Sequence, residues 1–96
     1  MHYLVLLVDG DRASLQRSKE QLTERGLNIL TADNFEDATQ QLIDNGKIHV
    51  VLSEWELPCS RQDPAMISGT EIFKRFLELR YEVNMFLHTS MKDIRN

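Results

Sequence analysis

Ninety-six residues with 42% hydrophobic content provide for one compact domain with one core and are too few for two. A formal charge of -4, with Arg12, Arg17, Lys19, Arg25, Lys74, Arg75 and Arg80 interleaved with acids, leaves no basic footprint and argues against direct nucleic-acid binding. The single cysteine, Cys59, excludes an internal disulfide and a cysteine-rich zinc site, and the longest apolar run, Tyr3 to Val8, is too short for a membrane span, so a soluble, cytoplasmic protein is expected.

The run Tyr3-Leu-Val-Leu-Leu-Val8 ends at Asp9-Gly10-Asp11 and reads as a strand buried on both faces, closed by a turn. Residues Ala13 to Arg25 predict a helix with a thin stripe at Leu15, Ser18 and Leu22, and Gly26 stands where a glycine ends a helix. Leu27 to Thr31 predicts a second strand. In Asp33-Asn34-Phe35-Glu36, an Asp cap with Glu three residues on resembles a capping box, and the next helix carries Phe35, Ala38, Leu42 and Ile43 on one face as far as Asn45-Gly46. Ile48 to Ser53 predicts a third strand, and Cys59 to Pro64 reads as a polar loop of more than usual length. Ser68-Gly69-Thr70-Glu71 is a second capping-box pattern, opening a helix with Ile72, Phe73, Phe76 and Leu77 inward, and Val83 to Leu87 predicts a fourth strand. The order β-α-β-α-β-α-β with right-handed crossovers gives a parallel sheet between two helical layers, an α/β fold.

Ligand-binding groups of such sheets gather at the carboxyl ends of the strands. Asp9 and Asp11 follow the first strand, Glu54 and Glu56 the third, and Thr89 the fourth. With the order 2-1-3-4 they share one rim, where an oxygen-rich set drawn from Asp9, Asp11 and Glu54 suits Mg²⁺. Acids in these places also serve as ordinary solvated loop residues. Trp55 reads as a half-buried packing residue, the histidines 2, 49 and 88 and Cys59 as bystanders, and Lys74, Arg75 and Arg80 as a solvated helix face.

LLVDGD, then VVLSEWELP, then Ser68-Gly69 and a strand ending LHTS, together resemble the receiver domain of two-component response regulators. The resemblance implies a flavodoxin-like (CheY-like) (βα)₅ fold, of which the order 2-1-3-4 is present and the fifth strand is not. It implies Mg²⁺ as cofactor and a phosphoryl acceptor at the position of Glu54, with Thr89 matching the hydroxyl that contacts the phosphoryl group. Here Gly10 replaces the second acid of the usual Asp-Asp pair, and no lysine matches the one that follows the fifth strand. Glu54 moves the carboxylate by about 1.5 Å, one C–C bond, relative to the aspartate of the family. Misplacement of about 1 Å costs on the order of 10²-fold in transfer. A degenerate receiver, residues 1–96 forming the N-terminal part of a longer protein, is therefore expected. It would be a non-enzymatic signalling module whose partners are a histidine kinase, an output domain or another domain of its parent protein, with Asp9, Asp11, Glu56 and Glu54 as its acidic pocket. An active acceptor using Glu54 or Asp11 is the alternative. VNMFLHTSMKDI after FKRFLELR also resembles the receiver-like wing domain of pyridoxal-phosphate ornithine, lysine and arginine decarboxylases. A sheet ending at the fourth strand leaves an open edge there, so homo-oligomers are expected.

Overall fold

The first apolar run becomes a central strand, β1 (Leu4–Val8), in the computed structural model of the protein, which describes residues 4–80 and 84–88. It lies between β2 (Asn28–Ala32) and β3 (Val50–Glu54), in parallel with both. Leu6 and Val8 point into the main core, while Val5 and Leu7, on the opposite face by strand alternation, are buried as well. That double burial is why the run is apolar at every position.

Two three-residue strands, β4 (Glu56–Pro58) and β5 (Met66–Ser68), then form an antiparallel hairpin before the last strand, β6 (Asn84–His88), joins the main sheet beside β3. The main sheet therefore has the order β2-β1-β3-β6, the expected 2-1-3-4. Val83, the expected start of the last strand, lies outside the described residues, as do His2 and Thr89. Helix α1 (Arg12–Glu24) crosses one face of the sheet, and α2 (Phe35–Asp44) and α3 (Gly69–Leu79) cross the other, as right-handed crossovers demand. The rings of Phe35 and Phe76 stack between α2 and α3 with centroids 5.4 Å apart.

The helix ends show how local chemistry set the boundaries. Gly26 takes a φ of 87°, Gly26 N–H donates to Thr23 O and Leu27 N–H to Leu22 O, so the glycine ends α1 as expected. The cap of α2 is Asn34 rather than Asp33: its side chain accepts the Asp37 N–H at 2.8 Å, while Asp33 is drawn into an ion pair with Arg12. Ser68 stands at the start of α3 but makes no side-chain cap, and Glu71 pairs with Arg75 instead. Ile43 and Phe73, expected inward, are 59% and 42% exposed. Each lies one residue, about 100° of helix rotation, beyond a buried neighbour, Leu42 or Ile72, and so outside the stripe that faces the core.

The loop expected over Cys59 to Pro64 is present, and it joins β4 to β5, a hairpin that the sequence reading did not predict. Leu57 is fully buried in the core and anchors β4, and the turn beyond it is closed by its own backbone. Cys59 N–H donates to Ala65 O, Ser60 N–H to Asp63 O, and the Ser60 hydroxyl accepts the Asp63 N–H. Arg80, expected in solvent, instead donates to the carbonyls of Leu42, Asn45, Gly46 and Ile48 at 3.1–3.3 Å, closing the carboxyl end of α2.

Candidate functional site

The carboxyl ends of β1 and β3 meet at one rim. Val8 pairs with Ser53, which sets Asp9 and Glu54 side by side one step further on, and Glu54 pairs in turn with His88 of β6. Asp9 is buried and its Oδ1 accepts the Asp11 N–H at 2.9 Å, which tightens the turn between β1 and α1. Asp11 is the cap of α1: its Oδ1 accepts the N–H groups of Ala13 and Ser14. Glu56 lies two residues on, in β4 of the hairpin, where it pairs with Ser68. Thr89 lies outside the described residues.

Two glycines bring other elements close to this rim. A Cβ at Gly10 would sit 3.0 Å from Cδ and 3.3 Å from Cγ of Pro58, so β4 packs directly over the turn after β1. A Cβ at Gly69 would come within 2.5 Å of the Trp55 indole, which lies across the first turn of α3 with 43% of the residue exposed. Any side chain at position 69 displaces that ring.

Beside the rim, an ion cluster that sequence reading missed ties three elements together. Asp33 pairs with Arg12 of α1 at 2.7 Å and with Arg61 of the hairpin turn at 3.9 Å, and Arg61 reaches Asp37 of α2 at 3.3 Å. Burial alone pushes the Asp33 carboxyl up, but hydrogen bonds from Asn34 and Arg12 and the charges of Arg12 and Arg61 outweigh it, holding the group below its ordinary value. The Glu36 N–H donates to Cys59 O and adds a backbone tie between hairpin and α2.

Magnesium is the cofactor that the resemblance implies, with Asp9, Asp11 and Glu54 as its expected ligands. Of these, Asp9 and Asp11 accept backbone N–H groups of the β1–α1 turn and the first turn of α1 through their Oδ1 atoms, and Gly10 supplies no carboxylate. Among the described residues no group of three or more His, Cys, Asp or Glu side chains is arranged to hold a metal ion.

No protein-family model matches the chain, and no curated protein matches it. Solved structures do. A response regulator receiver domain protein from Clostridium thermocellum aligns with a TM-score of 0.79 at 22% identity, over 96% of this chain and 68% of that one. The fold is that of a receiver domain. A response regulator receiver protein from Pseudomonas putida gives 0.75 at 18% identity, over 98% of this chain and 75% of that one. The receiver domain of a Saccharomyces cerevisiae response regulator, co-crystallised with a histidine phosphotransfer signaling protein, gives 0.69 at 16% identity, over 96% and 68%. Within this receiver fold, the hairpin and the cluster on Asp33 frame the rim that carries Asp9 and Glu54. No helix among the described residues is long and apolar enough to cross a membrane.

Proposed function

We propose that the domain is a signal-transduction interaction module, a receiver in which partner binding is kept and phosphoryl transfer at Glu54 is lost. The observation that carries this reading is the state of the rim within a receiver fold: Asp9 and Asp11 bond to neighbouring backbone N–H groups, and Gly10 lies against Pro58. Transfer needs an acceptor placed in line and positive charge on the transferring oxygens. Glu54 supplies a carboxylate at the end of β3, fixed in charge without a phosphoryl group, which suits a receiver held in one signalling state. The partner is then a protein: a histidine kinase or phosphotransfer protein, an output domain, or another domain of a longer parent chain. The yeast receiver bound to a phosphotransfer protein supports that class of partner. Nothing in the comparisons favours the decarboxylase wing.

The test is incubation of the protein, and of Glu54→Asp, with acetyl phosphate and MgCl₂, followed by intact-mass measurement. Neither protein is expected to gain a phosphoryl group. A Mg²⁺-dependent gain on the unaltered chain, mapped to Glu54 or Asp11, establishes the active-acceptor reading instead.

A further inference from the structure

We propose that the open edge of β2 is a docking groove for an extended, cationic peptide segment of a partner protein. This site is separate from the rim and does not depend on the reading of Glu54. Among the described residues β2 pairs with β1 alone, so its other side is an unpaired strand edge. A groove of about 480 Å³ lies against its carboxyl-terminal end, lined by Thr31 and Ala32, by Gln16 of α1, by Gln40 and Asp44 of α2, and by Arg61.

The backbone already presents the hydrogen-bonding pattern that an added strand uses. Ala32 O accepts the Asp9 N–H, so Ala32 faces β1. By strand alternation Thr31 and Ile29 turn their N–H and C=O groups outward, away from β1, those of Thr31 into the groove and those of Ile29 along the same edge beyond it. Thr31 O confirms the direction: it accepts Gln41 Nε2 at 3.3 Å. A side-chain amide thus stands where the main-chain N–H of an incoming strand would donate, in a long bond that exchanges readily for a better one. Recognition by strand addition takes its affinity from such main-chain bonds and its specificity from alternate side chains.

Charge selects the occupant. The lining holds three carboxylates, Asp33, Asp37 and Asp44, against two guanidinia, Arg12 and Arg61. Both guanidinia are gathered at the Asp33 end, where they form the ion cluster. Asp44 lies two helical turns further along α2, roughly 10 Å from Asp37 at 1.5 Å per residue, and bonds there to the Gln40 amide. The far end of the groove is therefore acidic and amide-lined, which favours lysine or arginine on the segment it receives. Helices α1 and α2 both line the groove, so a second copy would bring its own helices against them, whereas a lone peptide strand brings none.

The test is ¹⁵N–¹H NMR of the whole chain titrated with a terminally blocked hexapeptide of alternating lysine and valine. The expected result is saturable shifts centred on the Ile29 and Thr31 amides. The same peptide N-methylated on alternate residues, and a glutamate-valine version, should each bind at least about tenfold more weakly. Asp44→Asn, on an exposed helix end, should weaken the lysine peptide by about threefold at low salt. Equal binding of the N-methylated peptide, shifts centred elsewhere, or no shifts at millimolar peptide each overturn the proposal. So does movement of the Ile29 and Thr31 amides with protein concentration alone, which would make the occupant a second copy.

Discussion

Arg80 joins the end of α3 to the end of α2 through one side chain. Helix carbonyls at a carboxyl terminus lack intrahelical partners and carry the negative end of the helix dipole. A guanidinium, with its planar fork of donors, satisfies several at once. Here it reaches four carbonyls, from Leu42 to Ile48, in the stretch where the chain leaves α2 and enters β3. Hydrogen bonds to a charged donor contribute about 1.5–3 kcal/mol each at best, and these share one partly solvated group, so Arg80→Ala should lower unfolding stability by about 2–3 kcal/mol. Arg80→Lys keeps the charge but not the fork and should recover less than half of that loss. Urea unfolding followed by Trp55 fluorescence measures both, and an alanine variant as stable as the parent would show that water replaces the guanidinium at no cost.

Among the elements, the hairpin is the one that sequence reading missed. The long strands and helices were legible because their apolar spacing repeats over many residues: β1 is apolar at both parities, and α2 repeats at Phe35, Ala38 and Leu42. Strands β4 and β5 have three residues each, too few for alternation to register, and the turn between them separates the partners. The ion cluster was hidden for a related reason, since Arg12, Asp33 and Arg61 stand more than twenty residues apart in sequence and meet only in the fold. The position of Glu54 at a strand end was legible, but the destinations of its neighbours were not, because Asp11 serves equally as ligand or as helix cap. The cluster has a testable pH signature. Asp33 is held below its ordinary value of 3.8, so the stabilisation it gives is complete above that value and is lost as pH falls through the lower, folded-state value. Arg12 and Arg61 are mostly solvated, which limits the contribution to about 1 kcal/mol. Asp33→Asn should therefore be less stable than the parent by about 1 kcal/mol at about pH 7, with the difference shrinking as the pH is lowered below the ordinary value of 3.8. A gap independent of pH would mean that Asp33 acts through its shape and not its charge.

The two edges of the main sheet differ in chemistry. The β2 edge opens on a groove of amides and charges. At the other end, Phe86 on β6 is 56% exposed, and it pairs in register with Leu52 of β3, itself only partly buried, so an apolar strip runs to the unpaired β6 edge among the described residues. Unpaired strand edges carrying apolar side chains are templates for association, and proteins guard them with charge, above all lysine. Asn84, Met85 and Phe86 bring no such guard. We therefore predict that the chain self-associates through β6, and that Phe86→Lys, which places a charge on the strip without touching the buried core, returns it to monomer. Sedimentation of both proteins at ~100 μM decides the matter, because association through exposed edges becomes visible at micromolar to millimolar concentration. A clean monomer for the parent chain would show that the strip is closed by other means, and an oligomer that survives Phe86→Lys would move the interface away from β6. If the substitution also leaves the Ile29 and Thr31 amides unshifted, the apolar and polar edges act independently, one for copies of the chain and one for its partners.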